Sequence, residues 1–368
     1  MRSWIQLARG KTPRQAHVDL EGLKDDELGR KGFSGKVAEL YRRNDPTAWT
    51  RIEGPLRLWD VDFAKLVPTD QTDPRGTPIV AFRNDDVSIG VTRRSAPMPF
   101  AYRNGDGDTL YFVHRGTGSF ETEFGPLRYE PGDYVLIPKA VNYRHVPDDA
   151  DQFALVLESP HEFDFPDYGI LGRHAPFDPS VVRIPEPTRY DDGGKTEFEL
   201  RVKHGGEFTS IFYPFDPMDV EGWKGDLFPL AMNIRDFRPI MSDRLHLPPS
   251  VHCHFEAKGV FVLNFLPRPA ESEAGVERIP WYHRNADYDE VTFMHGGDLM
   301  GKPVPKGRCT WSPQGIHHGL PEIVRQLSRQ MGKPGDRIGW QLISIDTEKT
   351  LTITAEAAAV DRSQEKKR

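Results

Sequence analysis

Residues 281–291 read WYHRNADYDEV, in which His283 is followed in close succession by Asn285, Asp287, Asp289 and Glu290. Such a cluster makes either an acidic turn or half of a metal site. The stretch GRCTWSPQGIHH, which opens at Gly307, supplies what the second reading lacks: another imidazole, His318, behind a tight turn at Pro313 and Gly315. Alternate residues of a strand share a face. A ligand pair from one hairpin and a histidine from another strand can therefore converge inside a barrel. Two imidazoles and one carboxylate leave coordination positions open, which is the donor set of non-haem Fe(II) oxygenases. Asn285 is a weak ligand and reads better as a hydrogen-bonding residue. The chain has two cysteines, Cys253 and Cys309. That is too few for a Cys-rich zinc site, and both are expected to be reduced.

The elements that must hold these residues are short strands. From about residue 48, apolar and aromatic runs alternate with Gly, Pro, Asn and Asp, as in VSIGVTRR from Val87, TLYFVHRG from Thr109 and FALVLES from Phe153. Strands of this length between turn signals predict a mainly β chain of sandwich or jelly-roll type. A Pro-, Gly- and aromatic-rich stretch then breaks the rhythm. It is too long for an ordinary loop and reads as an ordered crossing. Strand-like runs resume near residue 196. The predicted organisation is a β domain over 1–160, a crossing over 161–195, a second β domain with the metal site over 196–358, and a flexible tail over 359–368. One helix is expected over 321–331, with Ile323, Val324, Leu327 and Met331 on its apolar face. Another is possible in GKVAELYRR from Gly35.

The spacing His283-x-Asn285-x4-Glu290-x6-Gly297, followed by Gly307-x5-Pro313-x-Gly315-x2-His318, resembles the two motifs of the cupins. The first half carries a weaker copy. There Gly132 and Pro138 keep the frame, while Asn104, Asp106 and Tyr143 stand where ligands would be. This implies two cupin domains, the first without a metal. WYHRN from Trp281, NGDGDTLYFVHRGTGSFETEFG from Asn104, FPDYGILG from Phe165 and PMDVEGWKGDLFPLAMNIRDF from Pro217 add a closer likeness. In their order along the chain they resemble the homogentisate 1,2-dioxygenase family, over roughly residues 85 to 325.

That resemblance implies Fe(2+) held by His283, His318 and a carboxylate, with His318 also facing the substrate and His246 as acid/base. The general cupin frame favours Glu290 as the carboxylate, whereas the family's own spacing favours Asp289; Glu290 is taken. The implied reaction is ring opening of homogentisate by O2 to maleylacetoacetate, a step in tyrosine and phenylalanine breakdown. Trp223-Lys224-Gly225 departs from a family motif. Gentisate or hydroquinone therefore remain alternative substrates, and a non-redox metal-binding bicupin remains a third reading. The resemblance also implies a homo-oligomer, a trimer or hexamer. His252 and His254 could support the site or belong to the core. Arg284 is either a substrate contact or half of an outward ion pair.

Composition limits the remaining classes. Of 368 residues, 28% are charged and 37% hydrophobic, with a formal net charge of −7. No basic stripe suits nucleic acid. No apolar run approaches the ~20 residues of a membrane span, and the first residues lack the apolar core of a signal peptide. A cytoplasmic enzyme acting on a small aromatic acid and O2, without nucleic-acid or membrane partners, is the expectation.

Overall fold

The structure, a computed structural model, describes residues 8–31, 35–191, 193–331, 333 and 335–363. It is mainly β, and three larger sheets lie in layers. The central sheet has seven strands, in the order Leu230–Asn233, Asp133–Ile137, Asp108–Arg115, Phe153–Ser159, Ser88–Thr92, Ile79–Arg83 and Thr352–Ile353. Period-two alternation sends its side chains into two cores. Along Asp108–Arg115, Leu110 and Phe112 enter one core while Tyr111 and Val113 enter the other.

The core of Tyr111 and Val113 fills the first barrel, between the central sheet and an outer six-stranded sheet that contains Asn142–Pro147 and Gly118–Thr122. The core of Leu110 and Phe112 fuses the central sheet to a third sheet. That sheet runs Cys253–Ala257, Val260–Phe265, Gln341–Thr347, Asp289–Gly296, Arg308–Ser312 and Trp59–Asp62. Val291, Phe293, Cys309, Ile343 and Ile345 point into this shared core. Each large apolar side chain buried there contributes about 1.5–3 kcal/mol. The opposite face of the third sheet carries Glu290, Thr292, Met294, Ser312, Ser344 and Asp346 and lines a cavity. Two cupin-like units thus stand back to back.

The sheets do not follow the expected domain division. Phe198–His204, placed in the second domain by its position in the chain, pairs in parallel with Ala101–Asn104 of the first barrel. Leu230–Asn233, from the same part of the chain, pairs antiparallel with Asp133–Ile137. In the other direction, Trp59–Asp62 pairs with Arg308–Ser312 in the second unit. Hydrogen-bonding edges, not sequence proximity, decide which sheet a strand joins. The crossing is packed, as its aromatics required: Phe163 and Phe177 are buried in the shared core, and Asp164 and Glu256 exchange backbone hydrogen bonds of 2.9 Å.

Three local expectations need correction. Val37–Arg42 is a strand, not a helix, because it pairs antiparallel with Lys24–Gly29; tertiary pairing overrides helix propensity. The helix at 321–331 is Glu322–Ser328, and it is turned from its predicted face. Arg325 and Ser328 are fully buried, whereas Ile323 is 62% exposed. Arg325 is drawn inward by Glu277, by the Pro280 carbonyl and by the ring of Tyr282. The tail is anchored through residue 363. Ala355–Ala359 is helical, and Asp361 binds Arg57 and the Asp60 N–H; residues 364–368 lie outside the described residues. Cys253 and Cys309 are both free and buried. Among the described residues no helix is long and apolar enough to cross a membrane.

Candidate metal centre

The structure brings His283, Glu290 and His318 together. His283 lies on the strand Tyr282–Asn285, and its backbone exchanges two hydrogen bonds with that of His318, at 3.0 and 2.9 Å. This pairing sets the two imidazoles side by side with ring centroids 4.1 Å apart. The turn before His318 is fixed by Gly315, at φ 83°, whose N–H donates to the Asn285 carbonyl at 2.8 Å. Glycine is suited to that left-handed conformation. Asn285 therefore serves the site through its backbone.

Ring orientation follows from simple donor logic. Nδ1 of His283 lies 3.1 Å from the Trp281 carbonyl, and Nδ1 of His318 lies 3.1 Å from the Ile316 carbonyl. A carbonyl can only accept, so each Nδ1 carries the hydrogen and each Nε2 presents its lone pair. Both Nε2 atoms face Glu290 Oε2 at 3.4 Å. Two nitrogen lone pairs and a carboxylate oxygen converging in this way fit a divalent cation, as does the donor set itself. Burial opposes ionisation of Glu290, but the two histidines outweigh it and hold its carboxyl well below the usual range. Burial likewise opposes charging of His283, yet Glu290 raises its pKa above the ordinary value.

Asp289 faces the other way. It is fully buried and accepts hydrogen bonds from Trp311 Nε1 at 3.0 Å and from the backbone N–H groups of Gln314 and Leu351 at 2.9 Å each. The strand's alternation thus separates the two candidates: Glu290 points at the histidines and Asp289 ties down two loops.

The cavity above the cluster has a volume of about 550 Å³. Its wall is largely aromatic and apolar, with Trp49, Trp59, Phe265, Met294, Trp340 and Leu342. Sequence reasoning missed most of this wall. The alternation of Leu342, Ser344 and Asp346 against Ile343 and Ile345 was a usable signal for part of it. Asp346 is the register partner of Glu290; burial and that neighbour push its carboxyl well above the usual range. Trp49 and Trp59 come from the chain before the first barrel, and no local pattern announces them. Arg57 is the one Lys or Arg among the described lining residues. It stacks over Trp59 and donates to Asp361 Oδ2 and Ser363 Oγ at 2.6 Å each.

Other expected residues lie elsewhere. His246 does not line the cavity: its Nδ1 is 3.0 Å from Glu271 Oε1, and its ring meets Trp281 edge-on. Burial lowers its pKa against the pull of Glu271. Its expected acid/base role is not matched by its position. His254 stacks on Phe237 at 3.8 Å, and His252 packs against Phe265; neither lines the cavity. Arg284 makes the outward pair, with Asp26 at 3.2 Å and His317 at 2.6 Å. In the first barrel, the Asn104 side-chain N–H donates to Glu158, and Asp106 accepts from the N–H groups of Gly205 and Gly206. The Tyr143 hydroxyl lies 2.7 Å from that of Tyr111.

Residues 83–234 match the family model described as homogentisate 1,2-dioxygenase N-terminal. The chain is thus similar to the homogentisate 1,2-dioxygenase family over that segment. Among its relatives, a provisionally named dioxygenase of Saccharolobus solfataricus is 26% identical over 376 residues, covering 96% of each chain. The homogentisate 1,2-dioxygenase of Nitrobacter hamburgensis is 29% identical over 275 residues, covering 72% of this chain and 61% of that protein's length. Of solved structures, a cupin 2 conserved barrel domain protein from Leptotrichia buccalis matches over 78% of this chain and 95% of its own, at 12% identity and a TM-score of 0.35. The three clustered donors, His283, Glu290 and His318, lie outside the segment that the family model covers.

Proposed function

We propose that the chain is an Fe(II)-dependent dioxygenase that opens the ring of homogentisate with O2 to give maleylacetoacetate, within tyrosine and phenylalanine breakdown. The observation that carries this reading is the convergence of His283, Glu290 and His318 on the wall of an aromatic cavity large enough for a substituted benzene ring. Ferrous iron held by those three would supply open positions where a phenolate and O2 meet. The chain's own contribution is positioning and exclusion of water. Trp59, Phe265 and Trp340 present flat apolar surface to an aromatic ring, and Arg57 is the cation a substrate carboxylate would reach. The relatives named homogentisate 1,2-dioxygenase support the same substrate class.

One observation favours a second reading. Arg57 is already paired with Asp361, so a less acidic 1,4-dihydroxybenzene such as hydroquinone also suits the wall. Oxygen uptake by protein loaded anaerobically with Fe(II), tested side by side with homogentisate, gentisate and hydroquinone, separates the readings. Fastest uptake with homogentisate is expected. Preference for hydroquinone supports the second reading, and no uptake despite bound iron leaves a non-redox metal-binding bicupin.

A further inference from the structure

A second group of donors lies on the hairpin beside the metal centre. Lys24–Gly29 runs parallel to Tyr282–Asn285 with Glu27 opposite His283, and antiparallel to Val37–Arg42 with Glu27 opposite Glu39. Alternation divides the acids of the first strand between its faces. Asp26, on one face, meets Arg42, Arg284 and His317. Asp25 and Glu27 lie on the other face with Glu39. Among the described residues no Lys or Arg forms an ion pair with any of these three.

The basic group they do meet is His17, and it is placed with care. Its backbone is held at φ 57°, a conformation that non-glycine residues seldom adopt. Its ring stacks on Trp281 at 3.4 Å and 11°. Nδ1 lies 3.2 Å from Asp25 Oδ2, while Nε2 faces Glu39 Oε1 at 3.7 Å and Glu27 Oε2 at 3.9 Å. A carboxylate that orients one ring nitrogen, so that the other points at a cation, is the usual support of a histidine ligand.

A separate observation calls for a ligand here. Asp25 and Glu27 are only 6% and 4% exposed, and one carboxylate oxygen on each of Asp25, Glu27 and Glu39 is buried with no hydrogen-bond partner. Buried carboxylates persist when they are paired or bind metal. We propose that His17, Glu27 and Glu39 form a second divalent-metal site, with Asp25 orienting His17, next to the strand that carries His283. One imidazole and two carboxylates suit Zn2+ or Mn2+ rather than Ca2+, which takes six to eight oxygens. Burial, Glu27 and Asp25 together push Glu39 up to about 10, which is how a crowded carboxylate behaves without a cation. A metal there would clamp the N-terminal hairpin onto the strand of His283, whatever reaction the neighbouring centre performs.

The test is metal stoichiometry on the full chain, stripped with chelator, re-equilibrated with Zn2+ and freed of unbound ion. Wild type is expected to hold two equivalents by elemental analysis. Glu290→Gln and Glu39→Gln should each hold one, and the double variant none. Melting curves give an independent readout. Added Zn2+ should raise the Tm of Glu290→Gln but not of the double variant. A Glu290→Gln protein with none, or Glu39→Gln losing no metal relative to wild type, would overturn the site, whereas one equivalent in wild type that Glu290→Gln keeps would count against the first centre instead. The Glu290→Gln arm decides the matter even if substitution at Glu39 prevents folding.

Discussion

Asp289 and Glu290 are neighbours in the chain, yet their carboxylates point to opposite faces of one strand. Glu290 reaches the imidazoles of His283 and His318, and Asp289 accepts three hydrogen bonds, one from Trp311 of the adjacent strand and two from loop backbone N–H groups. The single-residue step between them separates chemistry from architecture. Asp289→Asn keeps the shape but cannot accept all three bonds with full charge. It is expected to lower stability by about 1.5–3 kcal/mol while metal per folded chain stays at the wild-type level. Denaturant unfolding and elemental analysis on the same sample check both. Loss of metal with unchanged stability would reverse the two assignments.

His246 is expected to be a packing residue. His246→Gln should destabilise the fold by about 1–3 kcal/mol, because it leaves Glu271 short of a buried partner. Turnover per bound metal should stay within about threefold of wild type. A collapse of turnover to background with metal retained would restore an acid/base role that its position in the fold does not suggest.

Arg57 offers a test of substrate acidity. If a carboxylate-bearing ring enters the cavity, Arg57→Met should raise KM for homogentisate roughly tenfold, about the value of one charge-assisted hydrogen bond. KM for hydroquinone should not move. Parallel shifts for both would mean that Arg57 only packs the wall against Trp59.

Acid sensitivity is expected at the joint between the two units, where His114 and His295 meet at 2.9 Å through their Nδ1 atoms. Burial pushes His114 down to about 3 and His295 down to about 4. An unfolded histidine titrates near 6.5, so the folded state favours the neutral rings. Their contribution is full above about pH 6.5 and is lost as pH falls toward 4 and 3. Each ring adds at most about 1.4 kcal/mol per pH unit to that slope. Urea unfolding of His295→Gln between pH 6.5 and 4.5 should show the shallower fall. A curve parallel to wild type would exclude this source.

The three clustered donors were legible because His283 and Glu290 sit on strands, where period-two logic carries from letters to faces, and His318 follows a turn with its own signature. The strands themselves were legible for the same reason: IGWQLISIDT became Gln341–Thr347 and FALVLES became Phe153–Ser159. What depended on long-range pairing was not legible. Val37–Arg42 looks helical until Lys24–Gly29 lies beside it. Arg325 looks exposed until Glu277 meets it. His246 gained its role from resemblance alone, and no spacing in the chain could show that Glu271 would claim it. Glu27 and Glu39 carry no local signal of their own, because their burial depends on pairing with each other's strand and with Tyr282–Asn285.

The exchange of edge strands between the two units bears on how the molecule is made. Trp59–Asp62, which precedes the first barrel in the sequence, caps the sheet of the second unit, and Thr352–Ile353, which follows the last strand of the second unit, caps the sheet of the first. An uncapped edge exposes unpaired N–H and C=O groups that invite pairing with other chains. Neither sheet is complete until strands far apart in the sequence have met. The early strand must wait for about 250 residues before its partner Arg308–Ser312 arrives. Cutting between the barrels would leave each half with a raw edge and a stray strand, so the two units mature together or aggregate together.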